Sequence, residues 1–97
     1  GNVGYVCTLY RAVSGFIADS LDVTDAGMTS ADAEPLFRER SIDSDLGVQF
    51  SRILRACERC RYGAVALSGS EFEALLSGAR TAMDRLDGMV RRERVSP

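Results

Sequence analysis

Apolar residues fall three and four positions apart along four successive stretches of this chain. That spacing is the stripe of an amphipathic α-helix, not the two-residue alternation of a half-buried strand. Val6, Leu9, Val13, Phe16, Ile17 and Leu21 predict a first helix over about 4–22, and the mixed residues 22–27 that follow read as a loop. Thr29 or Ser30 offers a side-chain oxygen to the free amides of a second helix, over about 30–40. Asp32 and Glu34 lie in its first turn, where negative charge suits the helix dipole, Pro35 falls near its start, and Leu36 and Phe37 mark its buried side. Ser41, Asp43 and Ser44 form the next cap cluster. Leu46, Phe50, Ile53, Leu54, Cys57 and Cys60 then predict a third helix over about 45–62, closed by Gly63. Ser68 with Glu71 three residues on matches a capping box, opening a fourth helix over about 69–91 along Phe72, Leu75, Leu76, Ala79, Met83, Leu86 and Val90. Gly78 and Gly88 inside it each cost about 1 kcal/mol against alanine, so one of them is expected to admit a neighbouring helix closely. The only strand-like run, Ala64 to Leu67, is too short and has no partner. The fold class read from these patterns is all-α, a single-domain bundle of four helices.

A chain of 97 residues holds one core and no more. Its 14 acidic and 12 basic side chains leave a net charge of −2, which provides no overall basic field for a nucleic-acid backbone. There is no histidine, so the commonest general acid/base, the commonest zinc ligand and every Ser-His or Cys-His nucleophile pair are missing. An enzyme is therefore disfavoured. Three cysteines are too few for a disulfide scaffold and fit a reducing compartment. The stretch from Val3 to Ala18 is too short and too polar to span a bilayer. The chain opens on Gly1 rather than Met, which suggests an excised domain or a tagged chain.

Cys57 and Cys60 make a C-x-x-C, but late in the third helix, where the dipole raises rather than lowers a thiol pKa. A zinc site would need two further soft ligands, and only Cys7 is available. The three thiols are expected to be structural, to bind no metal and to form no required disulfide; no cofactor is expected. Every basic side chain is arginine. Residues 1–45 carry eight acids against three arginines (−5) and residues 46–97 six acids against nine (+3). Arg52, Arg55 and Arg59, with Arg61 close by, line the third helix. They read either as a solvated face with Glu58 pairing locally or as a docking surface for an acidic protein partner. The second and third helices also admit a helix-turn-helix reading, a small DNA-binding regulator. Its reading helix would open on Asp43, Asp45, Leu46 and Val48, an acidic and apolar turn where base contacts are normally made. Arg85, Arg91, Arg92 and Arg94 most simply complement a helix end.

Five segments give the chain a family resemblance: Leu9-Tyr10-Arg11-Ala12-Val13, Phe16-Ile17-Ala18-Asp19-Ser20-Leu21, Gly27-Met28-Thr29-Ser30-Ala31-Asp32, Leu36-Phe37-Arg38-Glu39-Arg40 and Cys57-Glu58-Arg59-Cys60-Arg61-Tyr62. Over about Leu9 to Asp87 it resembles the C-terminal cytoplasmic domain of the BatD family, the oxygen-tolerance or Bacteroides-aerotolerance proteins. That family tends to place glycine where Ser41 stands, and often a proline soon after the Arg-aromatic pair, where this chain has Gly63-Ala64. The resemblance implies a non-enzymatic interaction or adaptor domain on the cytoplasmic face of the inner membrane, tethered by a segment outside this chain. The partners it implies are a MoxR-type AAA+ ATPase or a von Willebrand factor A domain protein, with no nucleic acid and no catalytic residues. Tyr62, ending the third helix, is expected to anchor the bundle with its ring packed against the first or fourth helix.

Overall fold

The computed structural model describes residues 3–23, 28–63 and 67–95. It consists of four helices, α1 (Val3–Leu21), α2 (Ser30–Glu39), α3 (Ser44–Arg61) and α4 (Gly69–Val95), in an elongated bundle of 48 × 24 × 19 Å. Residues 24–27, within the expected first loop, and 64–66, within the strand-like run, lie outside the described residues.

The helix ends follow the cap chemistry of the sequence. Asp43 precedes α3 and its Oδ1 accepts the Asp45 amide at 2.9 Å. At α2 the cap is Thr29, with Asp32 Oδ2 accepting the Thr29 amide at 2.8 Å. At α4 the Glu71 amide donates to Ser68 Oγ at 3.1 Å and Glu71 Oε1 accepts the Ser68 amide at 3.0 Å, the reciprocal pair of a capping box. Three helix ends turn through the left-handed region, at Asp22 (φ 57°), Ser41 (φ 57°) and Gly63 (φ 75°). After α1 and α2 the next amide reaches back five residues, Val23 to the Ala18 carbonyl and Ile42 to the Phe37 carbonyl, both at 2.9 Å. Ser41 thus occupies a backbone position that glycine fills at less steric cost. The fourth helix continues beyond its expected end at Arg91. Its apolar seam stops at Val90, but arginine is a good helix former, Arg91 pairs with Asp87 one turn back at 3.0 Å, and positive charge suits a helix C-terminus.

The core gathers the stripes: Val6, Leu9, Val13, Ile17 and Leu21 from α1, Ala33 and Phe37 from α2, Leu46, Phe50, Leu54, Cys57 and Cys60 from α3, and Ala79, Ala82, Leu86 and Val90 from α4. Phe16, Leu36, Phe72, Leu75, Leu76 and Met83 pack against it half-buried. α3 is the central element. Phe37 of α2 meets Phe50 with ring centroids 5.5 Å apart, while Ser30 at the start of α2 lies beside Glu58; Tyr10 of α1 also reaches Glu58, and Arg85 of α4 reaches back to Asp43. The two α2 pairings run α2 antiparallel to α3, and Arg85 at Asp43 with Gly78 and Thr81 beside Arg52 and Ile53 does the same for α4.

The close helix approach occurs at neither Gly78 nor Gly88. A Cβ at Gly78 would meet nothing within 4 Å, and one at Gly88 only an Arg92 nitrogen at 4.0 Å. The position that needs a missing side chain is Gly47, where a Cβ would stand 2.9 Å from Phe37 Cβ and 3.4 Å from the Glu34 Cα. α2 therefore beds directly on the α3 backbone. Two single substitutions test this. Gly78→Ala should stabilise the fold by up to about 1 kcal/mol through helix propensity alone. Gly47→Ala should destabilise it by about 1 to 3 kcal/mol by forcing α2 off α3. Urea denaturation of both variants reads the opposite signs directly.

Candidate functional site

The chemistry-bearing side chains group around the C-terminal half of α3. Glu58 lies at the edge of the buried side of that helix, seven residues and so two turns from Ser51. Its Oε1 accepts the Ser30 hydroxyl at 2.7 Å, and its Oε2 accepts the Ser30 amide at 2.9 Å and the Tyr10 hydroxyl at 3.1 Å. Ser30 opens α2, so its amide is one of the donors a helix N-terminus leaves without a partner, and a carboxylate there also meets the favourable end of the helix dipole. Ser51 Oγ donates to the Ser30 carbonyl at 2.8 Å, and the Tyr10 hydroxyl donates to the Met28 carbonyl at 2.7 Å. One phenolic proton is thus shared between the Met28 carbonyl and Glu58. A single carboxylate joins three helices.

The electrostatics follow. Burial raises the Glu58 pKa, but the Ser30 amide and hydroxyl, the Tyr10 hydroxyl and the charge of Arg55 together outweigh it and leave the carboxyl below its ordinary value. Tyr10 is pushed up to about 12, first by burial and then by its hydrogen bond to the Glu58 carboxylate, so it remains a neutral donor. Burial, with Cys60, Glu58 and Cys7 nearby, pushes the Cys57 thiol up to about 11, which leaves it protonated and a poor nucleophile at neutral pH. All three cysteines are free thiols. Among the described residues no group of three or more His, Cys, Asp or Glu side chains could hold a metal ion, and no helix is long and apolar enough to cross a membrane.

The four arginines of the third helix divide into two places. Arg52, Arg55 and Arg59 are exposed on the side of α3 turned away from Leu46, Phe50 and Cys57, and among the described residues none of them makes an ion pair. Glu58 pairs with none of them, because its oxygens are taken by Ser30 and Tyr10. Arg52 also borders an open groove of about 290 Å³ with Gln49, Ile53, Gly78 and Thr81, between α3 and α4. Arg61 lies about half a turn around α3 from Arg52. Its guanidinium sits 5.0 Å from the Tyr10 ring centroid and 5.8 Å from that of Tyr62. There it borders a second open cleft, of about 360 Å³, lined by Tyr10, Arg11 and Ser14 of α1, Met28 and Thr29 ahead of α2, and Tyr62. Of the C-terminal arginines, Arg85 serves α3 rather than its own helix, donating to Asp43 Oδ2 and Gln49 Oε1 at 3.0 Å each. The side chain of Arg94 lies outside the described residues.

Tyr62 does not anchor the bundle. It caps α3 one residue past the helix and is 77% exposed, because helical spacing from Leu54 and Cys57 carries position 62 round to the solvent side. The buried tyrosine is Tyr10. The Glu58 junction and Arg11 were not singled out by the sequence patterns. The available signal was a pair of polar residues, Ser51 and Glu58, seven apart beside the apolar stripe of α3. Comparison of the chain with protein families, with curated proteins and with solved structures returned no match.

Two predictions come from this junction. The Glu58 pKa is lowered by folding, so its contribution to stability is complete above the unfolded value of about 4.3 and is lost as pH falls through the lower folded value. Melting temperatures from pH 7 down to pH 3 should fall more steeply in the parent than in Glu58→Gln, while Glu58→Ala should cost about 1 to 3 kcal/mol at pH 7 by leaving the Ser30 amide without its partner. Tyr62→Ala should change stability by less than about 0.5 kcal/mol, as exposed positions do, whereas a packed tyrosine would cost about 3 to 5 kcal/mol. Thermal melts of Tyr10→Ala and Tyr62→Ala distinguish the aromatic that supports the fold from the one that faces water.

Proposed function

We propose that this chain is a non-enzymatic protein-interaction or adaptor domain that docks an acidic partner surface on the outer side of α3. The observation that carries the reading is the group formed by Arg52, Arg55 and Arg59, exposed together and free of ion pairs among the described residues. Exposed charges of this kind add about 0 to 1 kcal/mol to folding even when paired, so stability gives little reason to gather three on one face. Guanidinium forks match carboxylates in planar, two-pronged geometry, and such residues recur where interfaces concentrate their binding energy. The missing histidine and the protonated, buried Cys57 thiol agree with a domain that carries no chemistry of its own.

The resemblance to BatD proteins supplies the proposed context: a domain on the cytoplasmic face of the inner membrane, held there by a segment outside this chain, with a MoxR-type AAA+ ATPase or a von Willebrand factor A domain protein as partner. Three of the segments behind that resemblance, around Tyr10, Met28 to Ser30 and Glu58 to Tyr62, meet at the Glu58 junction. They share one structural task, which supports reading the resemblance as one of scaffold. The first turn of α3 is acidic, with Asp43 engaged by Arg85, so the DNA-reading alternative gains nothing from the geometry.

Arg55 helps to hold the Glu58 carboxylate ionised, so the test variant leaves it in place and reverses only its neighbours, Arg52→Glu with Arg59→Glu. Its melting curve should overlie that of the parent, while recovery of a MoxR-type ATPase or a von Willebrand factor A protein from membranes falls, more strongly at low salt. Equal recovery by the folded variant would reduce the group to a solvated face. A salt-sensitive gel shift with duplex DNA would favour the regulator instead.

A further inference from the structure

The cleft at the other side of α3 is a separate surface from the Arg52, Arg55 and Arg59 face. Among the described residues it contains two cations and no acid: Arg11 and Arg61 line it with Tyr10, Ser14, Met28, Thr29 and Tyr62, and neither arginine makes an ion pair there. In a chain of net charge −2 that is a local excess of positive charge. Among the described residues, the two carboxylates hydrogen-bonded to its lining are already committed. Glu58 is absent from the lining and gives its oxygens to Ser30 and Tyr10, and Asp32 Oδ2 accepts the Thr29 amide and hydroxyl.

Arg61 is also oriented. Its guanidinium lies near two aromatic rings, 5.0 Å from Tyr10 and 5.8 Å from Tyr62, and the Tyr10 ring is itself fixed by its bonds to Met28 and Glu58. A guanidinium stacked on a ring keeps its edge N-H groups for a second partner, and a planar carboxylate matches that edge. The aromatic support restricts the side chain beforehand, which lowers the ordering cost of binding. Tyr62, exposed beside it, offers an apolar ring face for a neighbouring side chain. At about 360 Å³ the cleft has room for a side chain or two of an extended segment rather than for the face of a folded element.

We propose that this cleft binds a short acidic peptide segment of a partner protein, with one Asp or Glu carboxylate held between Arg61 and Arg11 and an adjacent apolar side chain against Tyr62. It goes beyond the docking face of α3 and does not depend on it. Selectivity arises because the carboxylate must approach the edge of a fixed guanidinium while the peptide lies over the tyrosine, which charge alone does not supply.

The test is an amide-resolved NMR titration of the whole chain with a capped peptide of glutamates surrounding one phenylalanine. The controls are the same peptide with glutamine for glutamate, and inorganic phosphate at matched ionic strength. The glutamate peptide should move the amides of Arg11, Met28, Thr29 and Tyr62. Affinity should fall about tenfold or more in Arg61→Gln and in Arg11→Gln, both surface changes whose folding is checked by their amide spectra. Peptide binding should persist in the variant altered at Arg52 and Arg59, which separates failure here from failure of the α3 face. Equal binding of the glutamine peptide, shifts confined to the outer side of α3, unchanged affinity in both single variants, or competition by phosphate as strong as by peptide would each overturn the proposal.

Discussion

One carboxylate determines how three of the four helices meet. Glu58 leaves α3 at the boundary of its apolar stripe, and its oxygens serve the first amide and hydroxyl of α2 and the hydroxyl of Tyr10 on α1. Without it the α2 N-terminus would lose a charged acceptor, and Tyr10 would keep only the Met28 carbonyl. A half-buried charge is ordinarily a liability, since desolvation works against it. Here three donors and a nearby Arg55 outweigh that cost, which is why the group titrates low despite its burial. The Ser51 hydroxyl extends the same network by satisfying the Ser30 carbonyl.

Central placement of α3 also decides what the surface can offer. One side of the helix is occupied by α1, α2 and α4, so only its far side is left for Arg52, Arg55 and Arg59. The junction fixes the second surface, because holding Tyr10 upright beneath Arg61 creates the ring on which that guanidinium rests. The two surfaces share a helix and little else: one is a patch of unsupported long side chains, the other a cleft with an oriented cation.

The helices were legible because four apolar stripes and three sets of cap residues agree with one another, and local consistency of that kind leaves few competing folds. Contacts between helices were not, since periodicity gives the direction of a face and not its neighbour. Gly78 and Gly88 were noticeable for their helix cost, yet the glycine that matters is Gly47, whose role depends on where Phe37 arrives from another element. Tyr62 and Tyr10 exchanged roles for a similar reason. An aromatic at a helix end looks like an anchor until the angular position of the last turn is known, whereas Tyr10 stands next to Leu9 and adds little to the apolar pattern. Of the proposed docking arginines, the sequence could group Arg52, Arg55 and Arg59 by spacing. Helical spacing already turns Arg61 half a turn from Arg52, and the packing of α1 against the end of α3 gives it a cleft of its own.

The bed that Gly47 makes for Phe37 also bears on how the chain assembles. α2 and α3 follow one another across a connection of a few residues, so bringing them together closes a very short loop, and their contact is backbone-deep once made. Tyr10 and Glu58, by contrast, are 48 residues apart in sequence, and their pairing must wait for a much longer closure. Loop-closure entropy therefore favours an α2–α3 hairpin as the early structure, onto which α1 is later sealed. In that order of events the acceptor for Tyr10 is already in position, presented by Ser30 and α3, before the first helix of the chain arrives.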